Sequence, residues 1–218
     1  MTSLTLKRAQ IAKLLGRVSL VVAGMMLFAL FIHDPWPRRL IALLSLLVSG
    51  LIIGFSLRQI SFPELFGLDK ADLRVSLYTV AGLLIGCAMG IFTRQHFKLG
   101  LFPASLTLIA LLAPLVGTVE ELVFRGYIQG ILETLNRLFA LLYAAVAHTG
   151  YKLLVIYSLG RPQEFDFLFL AQWTLLGGLV FGGLRLLSKS IFPPLLAHAV
   201  FDILLYGGSL VAPFWVWS

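Results

Sequence analysis

Three stretches in the second half of the chain carry side chains that can move protons. Thr118-Val-Glu-Glu-Leu-Val-Phe-Arg-Gly holds Glu120, Glu121 and Arg125; Ala144-Ala-Val-Ala-His ends in His148; His-Ala-Val-Phe-Asp holds His198 and Asp202. Each group sits in an otherwise apolar run, where an ionisable side chain at mid-bilayer depth costs roughly 2.5–3.5 kcal/mol. Six of them facing lipid would cost on the order of 15 kcal/mol, so they are expected to converge on a polar interior. Glu121 and Arg125 are four apart and share a helical face, with the acid N-terminal to the base as the helix dipole prefers. Glu120, about 100° around the helix, is left free by that pair. His198 and Asp202 are also four apart. A free carboxylate, two imidazoles and a second carboxyl suffice for general acid–base activation of water, or for binding a metal.

Plainer readings apply to some of the same residues. Thr118-x-x-Glu121 has the form of a capping box and follows Pro114 and Gly117, which predicts a helix start there. Glu133 and Arg137 read as an i,i+4 salt bridge near a helix end. His33 and His96 fall in connecting turns, where interfacial solvation accounts for them.

The elements that must position these groups follow from composition. The 218 residues are 59% hydrophobic and 12% charged, with a mean hydropathy of +0.96. Ordinary soluble domains have ~45–50% apolar and ~25% charged residues, so a soluble globular protein is excluded, and a disordered chain by the same hydrophobicity. At ~20 residues per span the chain holds at most about eight helices. The expected fold is all-α, a polytopic membrane bundle of about 7–8 helices. It forms a single integral membrane domain over 1–218, with scaffold helices in 1–113 and motif-bearing helices in 114–210. The apolar stretches run at about Val18–Ile32, Leu40–Leu57, Val75–Phe92, Leu99–Val116, Thr118–Arg137, Leu138–Leu159, Phe165–Leu187 and Pro193–Tyr206. The first is read as a retained helix, since no small-residue cleavage site follows it.

The net charge of +7 is assigned to helix ends facing anionic lipid rather than to nucleic acid. Lys7, Arg8, Lys13 and Arg17 ahead of the first span favour a cytoplasmic N-terminus. Trp215 and Trp217 read as interfacial anchors. Cys87, the single cysteine, lies in an apolar run and can form neither an internal disulfide nor a multi-cysteine metal site.

Glu-Glu-x-x-x-Arg on one helix, a histidine on a following one and His-x-x-x-Asn/Asp on a later one resemble the CPBP family of intramembrane proteases. That family includes the type II CAAX prenyl endopeptidases and bacteriocin-immunity and abortive-infection relatives. The matching region runs from about Pro114 to Asp202. The resemblance implies that Glu120 is the catalytic glutamate and His148 its partner in activating water. His198 and Asp202 would stabilise the developing oxyanion or complete the site, with Glu121 and Arg125 bracing the helix. Family members usually carry Phe four residues before the middle histidine. Here that position is Ala144, with Tyr143 beside it, implying either compensating packing by Tyr143 or a less active site.

The leading expectation is a peptidase cutting near the membrane surface of a bacterial inner (plasma) membrane. Its partners would be the lipid bilayer and a membrane-associated peptide or protein, prenylated or not, and no nucleic acid. Two histidines and a carboxylate, Glu120, His148 and His198, also form a legitimate zinc or other divalent-metal set, so a metal and a metal-free mechanism both stay open, with a lean to the metal-free one. The other classes are a non-catalytic immunity or peptide-binding protein, and a small transporter using the same charges. The transporter is disfavoured because the polar residues cluster in one half of the chain rather than in two corresponding broken helices.

Overall fold

The computed structural model describes residues 8–69, 72–160 and 166–209. Lys7, Trp215 and Trp217 lie outside the described residues, as does the predicted start of a span at Phe165. Among the described residues every regular element is helical: α1 (Arg8–Phe31), α2 (Arg39–Leu57), α3 (Phe62–Phe66), α4 (Leu73–His96), α5 (Leu108–Glu121), α6 (Gly130–Glu133), α7 (Arg137–Ser158), α8 (Phe167–Ser188) and α9 (Phe192–Tyr206). Five of these are long and apolar enough to cross a bilayer, namely Gln10–Phe31 within α1, α2, α4, α7 and α8. The chain is an integral membrane protein. Helix starts carry local signals: Asp72, Thr107, Asn136 and Asp166 each accept a hydrogen bond from the backbone N–H three residues on, the usual N-cap satisfaction of an orphan donor. The prolines at 193 and 194 open α9, where a missing N–H costs nothing.

The predicted break near residue 117 does not occur. Residues 99–107 are not helical, α5 runs through Pro114, and it continues from Glu121 into a π-helical segment (Leu122–Gln129) and α6 without leaving the helical path. Thr118 caps nothing; its hydroxyl donates to the Pro114 carbonyl at 2.7 Å, and the Glu121 carboxylate is engaged elsewhere. The predicted Glu133–Arg137 helical pair is likewise undone, because α6 ends at Glu133 and α7 begins at Arg137. Glu133 instead accepts from Gln129 at 3.1 Å. From Phe124 to Leu132 every residue is buried, which marks this stretch as the centre of the bundle.

Around it, α9 lies between α4 and α5, α7 packs on α8 and α1, and α2 rests on α1. The outward face of α2, with Leu43, Leu47 and Leu51, is exposed, as a lipid-facing helix should be. The interior of α1 (Val18, Val21, Met25, Ala29) joins Phe124, Tyr127, Ile128 and Tyr151 in the main core. Gly82, Gly86 and Gly90 form one face of α4 against α9. A Cβ at Gly82 would stand 2.7 Å from the Pro193 carbonyl oxygen, and one at Gly86 would overlap the Ala197 carbonyl. Small residues four apart let two membrane helices approach to backbone contact, and this contact sets where α9 holds His198 and Asp202. At the opposite end Gly67, left-handed at φ 63°, ends α3, and the Phe66 carbonyl accepts from Ile191 N–H at 2.9 Å, tying α3 to the α8–α9 link.

Candidate functional site

The last turn of α5 delivers Glu120 and Glu121, the π-helical segment Arg125, α7 His148, and α9 His198 and Asp202. All six are buried, at 0–6% exposure, and the structure brings all six together. As the spacing predicts, Glu121 Oε1 pairs with Arg125 Nη1 at 3.1 Å. The same oxygen lies 2.8 Å from His198 Nδ1, so Glu121 joins α5 to α9. Glu120 Oε2 lies 3.2 Å from His148 Nε2 and 4.0 Å from His198 Nε2. Asp202 Oδ1 is 3.7 Å from His198 Nε2.

Partner chemistry orients both rings. His148 Nδ1 faces Arg125 Nη2 at 3.4 Å; a guanidinium only donates, so Nδ1 accepts and the ring proton on Nε2 is donated to Glu120. His198 donates from Nδ1 to the Glu121 carboxylate. Its Nε2 faces a space bounded by Glu120 and Asp202 at distances too long for a direct hydrogen bond and suited to a bridging water. Gly117, one turn before Glu121, makes the crossing possible, since a Cβ there would lie 2.6 Å from Asp202 Oδ2 and 3.2 Å from His198 Cδ2.

This donor arrangement does not fit the metal set that residue types alone allow. Among the described residues no three His, Cys, Asp or Glu side chains are placed to hold a metal ion. His148 would have to present a lone pair at Nε2 and therefore a proton at Nδ1, against the donors of Arg125. Two cationic side chains, Arg125 and Lys152, already contact the prospective ligands.

Lys152 joins the cluster although neither the residue types nor the spacings of the sequence motifs single it out. Its ammonium reaches Glu120 Oε1 at 2.6 Å. The available signal was its position in the apolar Leu138–Leu159 run, four residues after His148. Arg185 in α8 likewise lies outside those motifs; it is buried and donates to the Leu65 carbonyl at 2.7 Å, away from the cluster. Phe124 packs edge-on against His148 at 4.9 Å, and Tyr151 stacks on the same imidazole at 6.4 Å. Ala144 is buried and Tyr143 pairs with Phe139, so the first alternative, packing by Tyr143 in place of the usual Phe, is not what the structure shows. His33 and His96 stay outside the cluster. Burial and the nearby Arg39 hold the His33 imidazole below its ordinary pKa, and His96 stacks on Phe169 at 3.6 Å.

A cavity of about 410 Å³ opens beside the cluster. Arg125, His148, Lys152, His198 and Asp202 contribute to one part of its wall, and Trp173, Phe181 and Phe201 are among the side chains that make most of the rest apolar. An apolar slot with a few convergent polar groups is the usual form of a site for a small or extended ligand.

Residues 102–204 match the family model described as type II CAAX prenyl endopeptidase Rce1-like. No curated protein and no solved structure matches the chain.

Proposed function

We propose that this chain, whose residues 102–204 match the type II CAAX prenyl endopeptidase Rce1-like model, is an intramembrane endopeptidase using a water activated by Glu120. The observation that carries the reading is the buried contact of Glu120 with His148 at 3.2 Å, placed directly behind His148 on the wall of a mostly apolar cavity. His148, with Nε2–H committed to Glu120 and Nδ1 facing Arg125, orients the carboxylate. Water in the space between Glu120 Oε2, His198 Nε2 and Asp202 gives a proton to Glu120 as its oxygen attacks the scissile carbonyl carbon. With three carboxyl groups around it, His198 can carry protons on both ring nitrogens and present Nε2–H to the carbonyl oxygen as charge develops there, Asp202 orienting it. Glu120 then passes the proton to the amide nitrogen, the C–N bond breaks, and an amine and a carboxylic acid leave.

The apolar walls suit a peptide held at the membrane, the substrate class proposed here, whether or not it carries a prenyl chain. The basic N-terminal segment supports a cytoplasmic N-terminus; the membrane proposed is a bacterial plasma membrane. The test is hydrolysis of quenched fluorescent peptides, prenylated and plain, by detergent-purified protein. Glu120→Gln should fold and lose roughly 10²- to 10⁴-fold in turnover, the range of a general base. Equal turnover by wild type and Glu120→Gln would refute catalysis by this glutamate and favour the peptide-binding reading.

A further inference from the structure

We propose that Lys152 is a positioning residue of this site, clamping the Glu120 carboxylate by one oxygen while His148 holds the other; the proposal rests on the peptidase reading above. Lys152 and His148 are four apart on α7, hence on one face and one turn apart. From there the ammonium meets Glu120 Oε1 at 2.6 Å and the imidazole meets Oε2 at 3.2 Å. A carboxylate gripped at a single oxygen can rotate about its terminal torsion, which is broad and soft. Gripped at both oxygens from two turns of one rigid helix, it has a fixed plane. Oε2 is then kept toward His198 Nε2, 4.0 Å away, where the water must sit.

The charges are apportioned in the same sense. Arg125 is engaged with Glu121 at 3.1 Å and with His148 at 3.4 Å, so the ammonium is the cation in contact with Glu120. Lys152 is also the more open member of the pair, its side chain 20% exposed against 2% for Glu120, and it lines the cavity. It thus holds the carboxylate from the cavity side, and an occupant of the cavity packs against it.

The experiment compares wild type, Lys152→Met, Lys152→Arg, Glu120→Gln and the Lys152→Met/Glu120→Gln double variant, purified whole in detergent, by thermal unfolding and by peptide hydrolysis. Lys152→Met should lower kcat roughly 10- to 100-fold with KM changed less than about threefold, because misplacing the base affects the transition state rather than binding. Lys152→Arg should recover most of the loss. Melting temperatures should be non-additive, the double variant melting no lower than Lys152→Met alone, since removing both partners leaves no unpaired charge. Lys152→Gln, which keeps a donor without charge, replaces Lys152→Met if the latter does not accumulate. Additive melting shifts overturn the proposal whatever the hydrolysis shows. So does a Lys152→Met effect confined to KM, which would put the ammonium on the substrate. If hydrolysis is indifferent to Glu120→Gln while the melting cycle stays non-additive, the peptidase reading falls and the clamp on Glu120 is upheld.

Discussion

Gly117→Ala tests whether the α5–α9 crossing builds the site. The new Cβ would stand 2.6 Å from Asp202 Oδ2, 3.2 Å from His198 Cδ2 and 3.3 Å from His198 Cγ, where ordinary contact begins at 3.4 Å. Relief therefore needs about 0.8 Å of movement at Asp202 and a smaller shift of the His198 ring. Both side chains come from successive turns of α9, which is itself backed by the glycine face of α4 and has little room to retreat. Overpacking of this kind costs typically ~1–3 kcal/mol. The gain of ~1 kcal/mol for replacing glycine by alanine in a helix offsets part of it. Net destabilisation should be about 0–2 kcal/mol, while a displacement approaching 1 Å in a reacting constellation can cost on the order of 10²-fold in rate. The signature is a variant that folds well and turns over poorly. Gly183→Ala on α8, whose Cβ would meet nothing within 4 Å, is the control and should keep wild-type kcat while melting no lower than wild type, since the helical gain there is not opposed by overpacking. Wild-type kcat in Gly117→Ala, or an equal loss in Gly183→Ala, would refute the reasoning.

Other consequences are as direct. Arg125→Ala strips the guanidinium from Glu121 and His148, and breaking a buried pair costs ~3–5 kcal/mol; a fall in folded yield and melting temperature in detergent checks it, and normal stability would count against the brace. Gly86→Ala puts a methyl group into the Ala197 carbonyl and should lower the melting temperature by an overpacking cost of ~1–3 kcal/mol, with kcat falling as α9 shifts. Strong chelators should leave peptidase activity intact, because the ring proton of His148 and the contacts of Arg125 and Lys152 occupy the positions a dication would need; activity lost on chelation and restored by zinc would show that the rings can rearrange to bind it.

How much of this was legible beforehand depends on the range of the interaction. The membrane class, the lipid-facing scaffold and the Glu121–Arg125 pair follow from composition and from i,i+4 geometry within one helix, which no tertiary contact is needed to establish. The insertion cost of isolated charges also required Glu120, His148, His198 and Asp202 to converge, and they do. Local signals failed where packing overrides them. Pro114, Gly117 and Thr118 look like a helix boundary, yet the helix passes through them, because Gly117 serves the contact with α9 and Thr118 bonds back to Pro114. The widening of the helix into a π segment has no short-range signature of its own.

Lys152 shows the same division. Its place four residues after His148 was readable, but its partner is a carboxylate on another helix, and spacing within α7 says nothing about what lies across from it. The sequence alone determined that the charged groups must leave the lipid, and which of them share a helical face, because burial cost and helical pitch act on each segment separately. Only the tertiary structure decided that Glu120 is held between His148 and Lys152, that Glu121 reaches His198, and that Phe124 packs edge-on against His148. Those contacts depend on how closely α5, α7 and α9 approach, and Gly117 and the glycine face of α4 set the approach of α9 through backbone contacts that no single segment encodes.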